Sequence, residues 1–114
     1  MSLPIEDARR LQELIASGRD TLVLFYASWC PFSRAFLPIF EKHAGGEGCL
    51  RVLTDQVAGV EEAYSIDFVP TVMFFRDGKF HTRLDAVGGE GLSEEMLLEL
   101  MRSCGLRPAG GEAP

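Results

Sequence analysis

The feature that most constrains the fold is the segment from Thr21 to Pro38, where the composition of a buried strand changes abruptly into a helical pattern. Residues 21–26 are a run of apolar, aromatic and β-branched side chains, which is typical of a strand buried on both faces. Proline suits the first position of a helix, because its missing N–H would have no intrahelical partner there. Cys30, directly before Pro31, is therefore predicted to be the N-cap of a helix that runs to about Ala44.

The predicted position of Cys30 favours a reactive sulfur. The first N–H groups of a helix lack intrahelical partners, and the positive end of the helix dipole lies among them. Such a position stabilises a thiolate, which is the nucleophilic form of cysteine. The right-handed crossover after the strand also places Cys30 at the carboxyl end of a central strand, where ligands approach open α/β sheets.

These residues also carry a resemblance. The segment Trp29-Cys30-Pro31-Phe32-Ser33, with Pro38 further along, resembles the active-site strand and helix of the thioredoxin family. The usual family form is Trp-Cys-x-x-Cys, so this chain has the Cys-x-x-Ser, or monothiol, variant. Val69-Pro70-Thr71 is similar to a second family signature, in which a cis proline lies opposite the active cysteine. The resemblance covers about residues 18–105.

The element pattern and the resemblance together predict an α/β fold, a thioredoxin-like three-layer α/β/α sandwich with a central mixed β-sheet. Residues 1–106 are expected to form this domain, and residues 107–114 a flexible C-terminal tail. The predicted helices comprise residues 5–17, 31–44, 60–64 and 94–104, and the predicted strands 21–27, 50–54, 70–76 and 79–84. Asp77-Gly78 is a hairpin turn signal between the last two strands.

The resemblance implies thiol–disulfide exchange, in which Cys30 attacks a disulfide and forms a mixed disulfide. Ser33 stands where a dithiol enzyme carries its second cysteine, and its hydroxyl can hydrogen-bond to the Cys30 thiolate but cannot form a second S–S bond. Leu24 stands where thioredoxins carry a buried acid that accepts the proton of that second thiol. Both departures favour a naturally monothiol site, with Cys30 and Ser33 as the catalytic residues. An outside thiol, such as glutathione or a substrate thiol, must then release the mixed disulfide.

Five residues are predicted to bind the substrate around Cys30, namely Trp29, Pro31, Phe32, Val69 and Pro70. By the resemblance, the residue before the cis proline offers backbone hydrogen bonds to an extended substrate. Other side chains are predicted to be structural. Cys49 and Cys104 are expected to be buried, the Met96–Met101 stripe to lie in the core, and His43 and His81 to lie on the exposed surface. Asp55 is expected to be a turn residue.

Composition and charge restrict the partners. The chain has 114 residues and a net charge of −6, which argues against nucleic acid and anionic membranes. No segment approaches the ~20 apolar residues of a membrane span. The N-terminus lacks the pattern of a signal peptide, so the chain is expected to be cytoplasmic unless it was excised from a longer exported protein. No metal site is expected, because the three cysteines are widely spaced and far from the two histidines.

The leading functional prediction is a thiol–disulfide oxidoreductase, a monothiol reductase or isomerase. Its expected partners are protein thiols and disulfides; no cofactor is predicted beyond glutathione as a co-substrate, and the chain is expected to be a monomer. One alternative is a redox-inactive module that keeps the fold and its peptide groove. Another is a monothiol glutaredoxin-like protein that binds glutathione and an iron–sulfur cluster, because Cys-Pro-Phe-Ser is similar to the Cys-Gly-Phe-Ser of those proteins. Trp29 and the spacing from Pro70 to Gly88 suit thioredoxin better.

Overall fold

The structure, a computed structural model, describes residues 1–108. In that range the chain forms five strands and four helices. The elements in order are β1 (Leu3–Ile5), α1 (Ala8–Ala16), β2 (Thr21–Tyr26), α2 (Pro31–His43), β3 (Cys49–Leu53), α3 (Val60–Ala63), β4 (Thr71–Arg76), β5 (Lys79–Asp85) and α4 (Glu94–Ser103). None of the helices in this part of the chain is long and apolar enough to cross a membrane. The prediction of a tail falls mostly on residues 109–114, which lie outside the described residues.

The five strands form one mixed sheet in the order β1-β3-β2-β4-β5. β3 runs parallel to both β1 and β2, whereas β4 is antiparallel to β2 and to β5. β2 is therefore a central strand, and its residues 21–25 are all buried. Asp77 and Gly78 both have positive φ, 57° and 77°, as a tight two-residue hairpin requires.

Two apolar clusters cover the two faces of this sheet, because successive residues of a strand point to opposite sides. On one face, Val23 and Phe25 of β2 pack in a cluster with Leu11 of α1 and Val60 of α3. On the other face, Leu22, Leu24, Val72 and Phe74 of the strands pack in a cluster with residues of α2 and α4. The helical members of this second cluster include Phe36, Phe40, Leu97, Leu100 and Met101. The predicted α/β/α sandwich is thus confirmed.

The first predicted helix is wrong at its start. Ile5 belongs not to α1 but to β1, where it pairs with Val52 of β3. Asp7 begins the helix as its N-cap and accepts a hydrogen bond from the Arg10 N–H at 2.8 Å. β1 has only three residues, too few to show the alternation of a strand, and Pro4 is tolerated because the strand lies at the edge of the sheet.

Three further predictions of burial are wrong. Met96 is 41% exposed although its stripe was expected in the core, and Cys49, which was expected to be buried, is half-buried. His43 is only 4% exposed. Its Nε2 lies 2.7 Å from the Glu94 carboxylate of α4, so the last turn of α2 packs against the start of that helix. The helical period gives the direction of each side chain but not whether a neighbouring helix covers it.

Candidate active site

Cys30 lies where the sequence predicts it, between the end of β2 and the start of α2. It is the N-cap of α2, with φ −90° and ψ 120°, and Pro31 is the first helical residue. Its carbonyl accepts the first helical hydrogen bond from the Arg34 N–H at 3.0 Å. The sulfur makes no capping hydrogen bond, so it remains available at the positive end of the helix.

The peptide bond between Val69 and Pro70 is cis, as predicted. It lies directly before β4, the antiparallel neighbour of β2, and so brings Val69 next to the end of that strand. The thiol of Cys30 donates to the Val69 carbonyl, with 3.8 Å between sulfur and oxygen. Pro70 itself is buried, and its carbonyl accepts a hydrogen bond from the Ala86 N–H at 3.1 Å.

A cavity of about 180 Å³ opens beside the sulfur, and we call it the Cys30 cavity. Cys30 is 5% exposed and lines it, so its small accessible area faces this opening. The remaining lining residues are Trp29, Phe32, Glu61, Ile66, Asp67, Phe68, Val69, Val87, Gly88 and Gly89. Four of the large apolar residues are unusually exposed for their type, with Trp29 at 69%, Val87 at 60%, Phe68 at 55% and Phe32 at 40%. An opening with apolar walls beside a cysteine suits an extended peptide.

Comparison with known proteins agrees with this geometry. The sequence model of the thioredoxin family matches residues 3–103. The chain belongs to the thioredoxin family. Thioredoxin of Mycoplasmoides gallisepticum is 35% identical over 78 residues, which cover 66% of this chain and 78% of that protein. Thioredoxin-like protein CXXS2 of Arabidopsis thaliana is 31% identical over 84 residues, covering 71% and 53%.

Solved structures show the same relation. Thioredoxin of Fasciola hepatica superimposes with a TM-score of 0.74 at 28% identity, covering 89% of this chain and 97% of that one. The predicted family and fold are confirmed. The protein is a thioredoxin-like member of a family of thiol–disulfide oxidoreductases, whose thioredoxins act on protein disulfides.

The structure gathers only some of the predicted substrate-binding residues of this thioredoxin-like site. Trp29, Phe32 and Val69 line the Cys30 cavity, whereas Pro31 is exposed beside it and Pro70 is buried beneath it. Sequence reasoning missed Phe68 and Val87. Each lies beside a feature that could have been noticed, since Phe68 directly precedes Val69-Pro70 and Val87 directly precedes Gly88-Gly89.

The glycines after β5 allow the aromatic side chains to pack closely at the cavity. A Cβ on Gly91 would lie 2.8 Å from Cδ1 of Phe32, and one on Gly88 would lie 3.2 Å from Cε1 of Phe68. Gly91 also has a φ of +71°, a conformation that residues with a Cβ adopt at a cost. These two contacts hold one aromatic ring against each end of the Gly88–Gly91 loop.

Ser33 has a different hydrogen bond from the one predicted. Its Oγ accepts from the Ala27 N–H at 3.1 Å, and the residue is fully buried. Ser33 makes this hydrogen bond because its side chain, in the first turn of α2, faces back toward the end of β2 and not toward the cavity. The hydroxyl therefore connects the end of the strand to the helix around Cys30. Its hydrogen bond is with Ala27 and not with the Cys30 sulfur.

Asp55 is more than the turn residue that the sequence suggested. Its carboxylate accepts hydrogen bonds from both the hydroxyl and the backbone N–H of Ser28, the latter at 3.1 Å. These hydrogen bonds lower the pKa of Asp55 below its ordinary value, and the one from the Ser28 hydroxyl has the largest effect. Asp55, in the turn that follows the neighbouring strand β3, thus fixes the loop at Ser28, two residues before Cys30.

The other two cysteines lie away from this site. Cys104 is 2% exposed at the end of α4. Cys49 begins β3 and pairs with Leu22 at the opposite end of the sheet. Burial raises the pKa of the Cys49 thiol. All three cysteines are free thiols, and within residues 1–108 no group of three or more His, Cys, Asp or Glu side chains is placed to hold a metal ion.

Proposed function

We propose that this protein exchanges thiols and disulfides through Cys30 alone. The Cys30 thiolate attacks one sulfur of a substrate disulfide, the S–S bond breaks, and the second substrate sulfur leaves as a thiolate. The product is a mixed disulfide between Cys30 and the substrate. An external thiolate, from glutathione or from a substrate protein, then attacks the substrate sulfur, and Cys30 leaves as the thiolate.

The observation that carries this proposal is the position of Ser33. It occupies the first turn of α2, where the family's second cysteine stands, and a hydroxyl cannot expel the substrate. Cys49 and Cys104 give no substitute, because one lies at the opposite end of the sheet and the other is buried at the end of α4. Leu24, in place of the family's acid, is fully buried in the apolar cluster against α2 and α4.

The substrate would bind as an extended segment along Val69. This residue is half-buried before the cis bond, and its carbonyl lies 3.8 Å from the Cys30 sulfur. A peptide that adds as a short strand there would place its own cysteine close to Cys30. The exposed side chains of Trp29, Phe68 and Val87 would contact the residues on either side.

The test is the lifetime of the mixed disulfide. The protein is allowed to react with a peptide disulfide, and the adduct is followed by mass spectrometry of the intact chain. We expect an adduct on Cys30 that persists until a thiol is added. In Ser33→Cys, a second thiol in the first turn should release the peptide without added thiol and leave an intramolecular disulfide. An adduct that disappears equally fast in the unchanged protein would overturn the monothiol mechanism.

One observation favours a second function, that of a peptide-binding module without exchange chemistry. Cys30 is only 5% exposed, and its S–H donates to the Val69 carbonyl, so the sulfur already has a partner within the protein. The pH dependence of alkylation separates the two functions. Rapid alkylation of Cys30 at neutral pH supports exchange, whereas a rate that rises only near the range of free cysteine supports a binding module.

A further inference from the structure

The charged residues that line the Cys30 cavity in the described part of the chain are Glu61 and Asp67, and both are acidic. Glu61 lies on α3 and Asp67 in the loop that leads to the cis bond, so they come from one segment of the chain. Both are exposed. The aromatic lining residues are Trp29 and Phe32 at the start of α2 and Phe68 in the loop that ends at the cis bond.

A basic side chain that shares a depression with Asp67, that of Arg83, is held by other groups. Arg83 lies in a neighbouring depression that Asp67 and Phe68 also line. Its guanidinium is held by the Asp85 carboxylate at 2.7 Å and by the carbonyls of Tyr64 and Ser65 at 2.9 and 3.1 Å. Because Asp85 already balances its charge, the opening beside Cys30 keeps the negative charge of Glu61 and Asp67.

We propose that Glu61 and Asp67 are specificity-determining residues, which select thiols and disulfides that carry positive charge near the reacting sulfur. The inference rests on the proposed exchange at Cys30. A small cavity with apolar walls concentrates the field of the charges that line it. In a cavity of about 180 Å³, the distance from the lining charges to a bound reagent is also shorter than the Debye length, which is about 10 Å at 0.1 M salt. Cationic partners are therefore attracted, and anionic thiols, glutathione among them, are disfavoured.

The step that shows this selection is the release of Cys30. In a mixed disulfide of Cys30 with 2-mercaptoethanol, an incoming thiolate attacks the mercaptoethanol sulfur. The S–S bond to Cys30 breaks, Cys30 leaves as the thiolate, and a new small disulfide forms. The incoming thiol is the reductant, and the reagents differ both in the group that they carry into the cavity and in the intrinsic reactivity of the thiol.

The experiment uses three thiols of different charge. The adduct with 2-mercaptoethanol is prepared in Cys49→Ser/Cys104→Ser protein, so that Cys30 is the sole thiol. Its release is timed with cysteamine, which is cationic, with 2-mercaptoethanol and with anionic 3-mercaptopropionate. Each rate is divided by the rate for the same thiol with the Glu61→Gln/Asp67→Asn variant, so that the intrinsic reactivity of the thiol cancels.

The attacking thiolate of cysteamine is a neutral zwitterion, that of 2-mercaptoethanol is singly anionic and that of 3-mercaptopropionate is doubly anionic. Relative to 2-mercaptoethanol, we expect the double variant to slow cysteamine about 2–5-fold at low salt and to accelerate 3-mercaptopropionate by a similar factor. At 1 M salt, where the Debye length is about 3 Å, the differences should nearly vanish. The matched control is Glu95→Gln/Glu99→Gln, which removes the same charge from the exposed side of α4, away from the cavity, and should change none of the three ratios.

The outcomes separate this inference from the proposed function. If the adduct forms and is released but all three ratios are equal, the selection by charge is overturned and the exchange stands. The same holds if the α4 control shifts the ratios as much as the cavity variant, since only the net charge would then matter. If Cys30 forms no adduct with any disulfide, the exchange mechanism fails, and the inference fails with it.

Discussion

Each end of the sheet has a cavity, and the size of the cavity does not indicate at which end we place the chemistry. The larger cavity, about 720 Å³, lies at the end where β3 begins, and Cys49 lines it together with Met1, Leu3 and Leu50. The smaller cavity, about 180 Å³, lies at the other end and contains Cys30. Both ends thus have a cysteine beside an opening. We place the chemistry at the smaller one because of the backbone around each sulfur.

The backbone gives the two cysteines different surroundings. Cys49 is the first residue of a strand and is paired with Leu22, and burial raises the pKa of its thiol. Cys30 lies where a strand gives way to a helix, at a helix N-terminus whose first N–H groups lack intrahelical partners, and its sulfur lies 3.8 Å from the Val69 carbonyl. The comparison shows that the smaller cavity holds a cysteine at a helix N-terminus, whereas the cysteine of the larger cavity begins a strand.

The largest expected effect is the loss of the exchange itself. Cys30→Ser should form no mixed disulfide with a peptide disulfide, because the nucleophile is absent. Cys49→Ser should react as the unchanged protein does, since its sulfur lies at the opposite end of the sheet. Intact-mass spectrometry after equal incubation measures both. An adduct retained in Cys30→Ser would show that the two ends are not as different as we argue.

A second prediction concerns pH. The pKa of Cys49 is raised above the reference value of 9.0, so about 1% or less of this thiol is ionised at pH 7, and its alkylation should still accelerate as the pH passes 9. Cys30 should react at least about ten times faster at pH 7. Iodoacetamide rates in Cys49→Ser/Cys104→Ser and in Cys30→Ser/Cys104→Ser give the two values. Similar rates at neutral pH would count against the helix as the source of reactivity.

Substitutions of two glycines, one at each end of the sheet, distinguish an effect on stability from an effect on the reactivity of Cys30. A Cβ on Gly48 would collide with the carbonyl oxygen of Asp20, so Gly48→Ala should lower the free energy of unfolding by about 2 kcal/mol or more. Gly91→Ala should cost about 1–3 kcal/mol and, because it displaces Phe32, should also slow exchange at Cys30. Urea unfolding and the rate of adduct formation are measured for both.

The control for Gly91 is Gly18→Ala. Gly18, which does not line the Cys30 cavity, shares a positive φ, +85°, but a Cβ there would meet nothing within 4 Å. This variant should therefore show the backbone cost without the loss of exchange rate. The contrast between the ends is refuted if Gly48→Ala slows exchange in the folded protein as much as Gly91→Ala does.

The smallest expected effect is that of Asp55. The hydrogen bonds from Ser28 depress its pKa below 3.8 in the folded protein, so the carboxylate stabilises the fold at neutral pH. That contribution is lost as the pH falls through the depressed pKa. Asp55→Asn should therefore be less stable than the unchanged protein at pH 7, and the difference should shrink at pH 3 and below.

Urea unfolding at several pH values checks the prediction for Asp55, with Glu62→Gln as the control for removal of one exposed acid. A difference in stability that stays constant down to the lowest pH would mean that the ionised carboxylate is not what holds Ser28.

The local features of the site could be predicted because each depends on neighbours in the chain. Pro31 at the first helical position and Asp77-Gly78 in the hairpin both act within a few residues. The cis bond before Pro70 was predicted by resemblance, and not by local chemistry, since most bonds before proline are trans.

What could not be predicted depends on contacts between distant segments. Phe68 and Val87 reach the Cys30 cavity from different loops, and these loops lie together because the start of β4 pairs with the end of β5. Ser33 bonds to Ala27 and Asp55 to Ser28 because folding brings their backbones together. These partners are not visible in any spacing along the chain.

The amino-acid sequence by itself determined where the nucleophile stands, because the change from an apolar strand to a proline-led helix depends on residues that follow one another. Only the tertiary structure decided what surrounds that nucleophile, from the Val69 carbonyl to the acidic wall of Glu61 and Asp67. The reason is that capping and helix-dipole effects act within one turn, whereas a cavity forms only when segments far apart in the chain pack against each other.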